Sequence, residues 1–229
     1  MMPPRKPTTE RATGPGRPKD LTKRAAILES ATRMFLQHGF ERVSMDEIAA
    51  DAGVSKLTVY SHFDDKDTLF AAAVKSHCEQ SLPPALFDPA PNVPLRERLL
   101  TIARAFYAMV TAPEAIAGHR MLCTPQLANT PLSQLFWDAG PRRVQEGMAA
   151  LLRRRIEAGE LDIGDVPRAA SQFFTLLKGE PHARMVFGCC GAGVDDADAD
   201  AHVAASVDLF LRAYGTRHEA TPPARRQSR

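Results

Sequence analysis

The chain has no uninterrupted run of about 18 apolar residues, the length a helix needs to span a bilayer, so no membrane span is expected. No segment alternates polar and apolar residues convincingly with period two, which argues against a sheet. Its four cysteines, Cys78, Cys123, Cys189 and Cys190, form neither a CxxC pair nor a metal-ligand spacing. They are expected to be reduced and structural in a cytosolic setting, with a thiol-sensing role for the vicinal Cys189–Cys190 pair as the alternative. There is no glycine-rich phosphate loop, no nucleophile motif and no ligand-spaced His/Asp/Glu cluster. An enzyme is therefore not expected, nor a metal or cofactor. The Pro-rich, basic N-terminus lacks the apolar core of a secretory signal, so a cytoplasmic protein is expected. The net charge of +2 does not by itself argue for nucleic acid.

Helical periodicity fills nearly all of the remaining sequence, and the fold class is read as all-α. Thr22 to His38 is amphipathic, with Ile27, Ala31, Met34 and Phe35 on one side. Gly39 ends it, and Phe40 and Val43 follow as staples. Ser44 and Glu47 have the spacing of a capping box, in which each side chain satisfies the other residue's orphan amide. Ile48, Ala49 and Ala52 give that short helix an apolar side. Gly53 suits a sharp turn, Val54 plugs it, and Ser55 caps a second helix from Lys56 to about Phe63. Val59 and Phe63 face inward, leaving Lys56, Thr58, Tyr60 and His62 outside. A further helix opens at Asp64-Asp65-Lys66-Asp67 and carries Leu69, Phe70, Ala73 and Val74. Two short helices about a tight turn, the second presenting hydrogen-bonding groups, form the helix-turn-helix pattern that enters a DNA major groove.

Residues 20–75 resemble the DNA-binding domain of the TetR/AcrR family of bacterial transcriptional regulators. The resemblance is carried by Ala31, Phe35, Gly39, Phe40, Ile48, Ala49, Ala52, Gly53, Val54, Ser55, Thr58, Tyr60, His62, Phe63, Lys66 and Leu69. The run Gly-Val-Ser-Lys-x-Thr-x-Tyr-x-His-Phe-x-x-Lys is close to the family signature; Leu57 departs from it, because the family usually has a small residue or Pro there. The resemblance implies that Lys56, Leu57, Thr58 and Tyr60 face DNA, with Ser61 and His62 near them. Tyr60 and Lys66 match positions that hold phosphates, and Ser44 could do so through its helix N-terminus.

The organisation follows. Residues 1–19 are expected to be a disordered basic arm, 20–80 the three-helix helix-turn-helix DNA-binding domain with its following helix, 94–215 a helical effector-binding and dimerisation domain, and 216–229 a disordered tail. Within the arm, Gly16-Arg17-Pro18-Lys19 is a flat cationic segment suited to a narrow minor groove, through Arg17 and Lys19; the alternative is a solvated tail adding non-specific attraction. The Pro-rich stretch from Leu82 to Pro94 marks the boundary. Beyond it, helices are expected over Leu95–Val110, Pro113–Cys123, Pro131–Ala139, Pro141–Ala158, Val166–Gly188 and Asp198–Tyr214, with a kink or break at Gly140-Pro141.

The run Phe173-Phe174-x-Leu-Leu-Lys-Gly-Glu-Pro-His-Ala-Arg-Met resembles the C-terminal domain of AefR-like repressors in the same family. That resemblance implies a homodimer joined by the last two long helices, with Val203, Val207, Phe210, Leu211 and Tyr214 as the apolar stripe at the interface; the alternative is that this stripe packs back on its own domain. Phe106, Met109, Val110, Met121, Leu122, Phe136, Trp137, Phe173, Phe174, Leu177 and His182 are candidates to line an effector pocket, since Met and aromatic side chains adapt to varied apolar ligands. Ordinary core is the competing reading for each of them. The expected partners are a pseudo-palindromic double-stranded DNA operator, a small lipophilic or aromatic effector and a second copy of the chain, with no membrane partner. The alternative function is constitutive DNA binding with a second domain that only dimerises.

Overall fold

In the computed structural model the described residues are 20–88, 93–125, 128, 130–189 and 196–216, and their regular structure is helical. The N-terminal unit holds α1 (Leu21–His38), α2 (Met45–Asp51), α3 (Lys56–His62) and α4 (Lys66–Ser81). The second contains α5 (Leu95–Thr111), α6 (Pro113–Leu122), α7 (Pro131–Ala139), α8 (Pro141–Glu157), α9 (Val166–Phe187) and α10 (Asp196–Tyr214). Gly140-Pro141 is a break, since Gly140 lies at φ −119°, ψ −82° between α7 and α8. Among the described residues no single helix is long and apolar enough to cross a membrane. Residues 1–19, with Arg17 and Lys19, and most of the tail lie outside the described residues.

Side chains on each N-terminal helix start explain why it begins where it does. Asp20 accepts from the amides of Thr22 and Lys23 at α1, Ser55 from Thr58 at α3 and Asp65 from Thr68 at α4. The capping box at α2 is complete: the Ser44 amide donates to Glu47 Oε2 at 2.8 Å and the Glu47 amide to Ser44 Oγ at 3.2 Å. Gly39 at φ 79° and Gly53 at φ 65° occupy the left-handed region where side chains are strained, and they let α1 and α2 stop sharply.

Two cores result. Ile27, Ala31, Phe35, Phe40, Ile48, Val59, Phe63, Leu69 and Phe70 fill the N-terminal one, where Phe70 meets Phe35 and Phe40 edge-on at 5.4 and 5.1 Å. Leu132 of α7 is buried in that same core. The second core joins Leu99, Ile102, Met148, Leu151, Leu152, Phe173, Leu177, Val203, Val207 and Phe210. Phe87, within the Pro-rich stretch, is buried there as well, so its described part, residues 82–88, is packed rather than a free linker. The two units are thus welded through α4, α7 and the residues between α4 and α5.

The dimer stripe needs correction. Val203, Val207 and Phe210 are buried inside their own chain, Phe210 at 1% exposure with its ring 5.2 Å from that of Phe173. Leu211 and Tyr214 are partly buried and packed against the same core. The sequence stripe is the face that α10 lays on α5 and α9, because six helices leave enough apolar surface in one chain to cover it.

Candidate functional site

The candidate DNA-binding face is built on α3. Its N-cap Ser55 and the turn at Gly53 set it across α2, and Val59 anchors it to the core with no exposure. The residues turned outward include Leu57, 83% exposed, and Tyr60, 41% exposed. An apolar side chain so exposed on such a helix is the type that meets a thymine methyl group. Lys56 is also exposed, but Nζ lies 2.8 Å from an Asp46 carboxylate oxygen on α2, and this hydrogen-bonded pairing raises the lysine's pKa. Solvent-exposed pairs of this kind are weak, so Asp46 can release Lys56. Thr58 shares its hydroxyl with that of Ser55 at 2.9 Å, so it belongs partly to the cap.

Three other sequence candidates are placed less freely than expected. His62 is partly buried, and its Nδ1 is buried without a hydrogen-bond partner; this nitrogen is not presented outward. Lys66 lies over the Phe40 ring with Nζ 4.2 Å from its centre, a cation–π contact. Ser44 is committed to the capping box, and the Glu47 carboxylate it holds, with its pKa lowered by the Ser44 amide and hydroxyl, already sits on that helix end.

The second site is a cavity of about 410 Å³, within the range of small-molecule pockets. Phe106, Met109, Val110, Met121, Leu122, Phe136, Trp137, Phe174 and His182 line it as expected. Phe173 and Leu177 do not: they are fully buried in the second core, since each sits one position from a lining residue, Phe174 or Lys178, and so about 100° round the helix from it. Trp137, 43% exposed, and the exposed Thr175 mark the cavity's opening.

Two groups of lining residues were missed in the sequence. Thr32, Phe35 and Leu36 of α1 and Phe70, Ala73, Val74, His77 and Cys78 of α4 close the cavity from the DNA-binding unit. Nothing local marks them, because they read as ordinary inward faces of their own domain. The other group is polar: Ser171, Thr175 and Lys178, which share one face of α9 with the expected His182, a spacing that was visible in principle. Burial lowers the pKa of Lys178 and of His77. Burial, with the nearby Lys178 charge, also lowers His119 and brings His182 down to about 4. The His119 and His182 rings stand 5.2 Å apart, edge to face. Burial also pushes the Cys78 thiol up to about 11.

α9 is bent where these groups sit. Gly179 adopts φ 48°, ψ −157°, and Pro181 has no amide to offer the Leu177 carbonyl. His202 Nε2 of α10 meets that carbonyl instead, at 2.8 Å. α6 connects the cavity to both units. Arg120 donates to the Val186 carbonyl at 2.7 Å and to that of Met185 at the end of α9, while Met121 rests on Gly39 at the end of α1.

A helix-turn-helix unit with an exposed second helix, fused to a helical domain holding an apolar chamber, defines a DNA-binding transcriptional regulator. The family model of the bacterial regulatory proteins, tetR family, matches residues 27–73, and that of the AefR-like transcriptional repressor C-terminal domain matches 97–216; the chain belongs to the TetR family. It is similar to the transcriptional repressor AcnR of Corynebacterium glutamicum, 26% identical over 165 residues, 70% of this chain and 81% of that protein. A match to the transcriptional activator FasR of Mycolicibacterium smegmatis is 31% identical over 93 residues, 41% of this chain and 42% of FasR. Among solved structures, a TetR-family regulator from Mesorhizobium loti aligns with a TM-score of 0.67 at 29% identity, covering 86% of this chain and 98% of that one. The flavonoid-responsive regulator FrrA aligns with a TM-score of 0.65 at 29% identity, covering 86% of this chain and 100% of that one. These relatives are regulators, not enzymes.

Proposed function

We propose that this regulator binds a pseudo-palindromic operator as a homodimer and is released from it when a small lipophilic or aromatic molecule fills the cavity. The observation that carries the reading is the cavity wall, which α1 and α4 of the DNA-binding unit share with α5 to α9 of the second domain. A ligand in that space touches both units at once. It therefore has a direct way to favour one relative arrangement of them, which is the differential affinity a population shift requires. The similar structure FrrA is named as flavonoid-responsive, and flavonoids are aromatic molecules.

In this reading α3 reads bases through Lys56, Leu57 and Thr58, and Tyr60 and Lys66 hold phosphate. Arg17 and Lys19 of the arm add minor-groove contacts. Two copies are needed because one short helix covers too few base pairs for adequate specificity. The self-association face is the outward side of α10, where Ala201, Ala205 and Leu209 are exposed at four-residue spacing, rather than the buried stripe. A DNA-release titration with a library of lipophilic compounds tests the proposal. Release by at least one compound, weakened by Phe174→Ala, is the expected result. If no compound releases the parent, constitutive DNA binding replaces it.

A further inference from the structure

The cavity is apolar along most of its wall, yet a cation stands in it. α9 sends Ser171, Thr175, Lys178 and His182 to the cavity on successive turns, opposite Phe106, Met109 and Val110 of α5. No aspartate or glutamate is among the described lining residues. Among the described residues no carboxylate pairs with Lys178, and the influence acting on its pKa is burial alone. His119 and His182 lie near enough to feel its charge and are themselves held towards the neutral form. A neutral imidazole still donates one hydrogen bond.

We propose that the cavity selects an amphipathic anion, an apolar body carrying one acidic group, and that Lys178 receives the acidic group, with the His119–His182 pair beside it. The inference rests on the cavity being the effector site and narrows the class of effector. A partly desolvated ammonium without a counter-ion is costly, and a carboxylate, sulfonate or phenolate supplies the missing charge while its body covers Phe106, Met109 and Phe174. A cationic ligand finds no acid among the lining residues and meets Lys178. A neutral ligand leaves the ammonium unpaired.

The chain has one tryptophan, Trp137, and it lines the cavity, so its fluorescence reports occupancy. Two probes share a ring skeleton and differ by one sulfonate: 8-anilinonaphthalene-1-sulfonate and neutral N-phenyl-1-naphthylamine. Both are titrated into full-length parent, Lys178→Met and Lys178→Arg proteins. Lys178→Met is expected to weaken the sulfonate probe by about tenfold or more, the scale of a lost charge-assisted bond. It should change the neutral probe less than about twofold, and Lys178→Arg should retain the sulfonate preference. If both probes weaken alike, or neither changes, the anion selectivity is overturned while the cavity stands as a ligand site. If neither probe alters Trp137 fluorescence in the parent, the ligand site itself is overturned and the selectivity with it. Should Lys178→Met fail to fold, Lys178→Gln takes its place with the same outcomes.

Discussion

The sulfur of Met121 lies 2.5 Å from the point where a Cβ on Gly39 would stand, so a side chain at the end of α1 requires the flexible Met121 side chain of α6 to move aside. Gly39 also sits at φ 79°. Gly39→Ala therefore combines backbone strain with a clash and should lower stability by about 1–3 kcal/mol. Met121→Ala in the same chain should restore part of that, the clash but not the strain. Thermal melts of the single and double variants check this; an unchanged midpoint for Gly39→Ala would sink both the backbone strain and the contact as causes.

At the DNA face, Lys56 is held by Asp46 in the free protein. Lys56→Ala is expected to reduce binding to the specific operator by about tenfold or more, with a smaller effect on random DNA. Asp46→Ala, which frees the lysine and removes an anion near the phosphates, should raise affinity for both. Lys66→Ala should weaken all sequences alike and make the salt dependence shallower by about one counterion. Fluorescence anisotropy at several salt concentrations separates these effects.

The two neighbours on α10 should part in behaviour. Phe210→Asp places a charge in a fully enclosed core and should unfold or aggregate the chain, at a cost of several kcal/mol. Leu209→Asp, at a side chain 46% exposed, should leave the fold intact and shift sedimentation from dimer towards monomer. A folded Leu209→Asp protein that still sediments as a dimer would move the interface elsewhere.

Burial, aided by Lys178 and His119, holds His182 at about 4 against an ordinary value of 6.5. Between these values the unfolded chain binds a proton that the folded chain refuses, so stability falls as pH drops through that window and is level above it. The full effect is on the order of 1–3 kcal/mol. Urea unfolding at pH 7.5, 6 and 5 should show a decline that is smaller in His182→Gln. An equal decline in both proteins would assign the sensitivity to other groups, His119 and His77 first.

Much of the architecture was legible before any coordinates. The capping box at Ser44 and Glu47, the stop at Gly53, the N-cap Ser55 and the helix opening at Asp64-Asp65-Lys66-Asp67 are short-range chemistry, complete within a few residues, and these helices fall where those signals set them. The Pro131 and Pro141 starts were legible for the same reason, since a proline fixes its own φ and forgoes an amide that a first turn does not need.

Periodicity told which residues face a core but not which core, or whose. The stripe Val203, Val207 and Phe210 is as apolar as a dimer seam, and it turned inward because α5 and α9 cover it within one chain. The same limit hid the cavity's far wall: Phe35 and Phe70 read as DNA-domain core, and only the packing of α6 and α7 against α1 and α4 made them share a chamber with Phe106 and Phe174. The helices, their ends and the outward set of α3 follow from local sequence, because each depends on neighbours along the chain. The tertiary structure alone decided that Phe210 is enclosed, that Lys56 is held by Asp46 and that Lys178 stands in an apolar chamber, because each depends on residues brought together from separate helices.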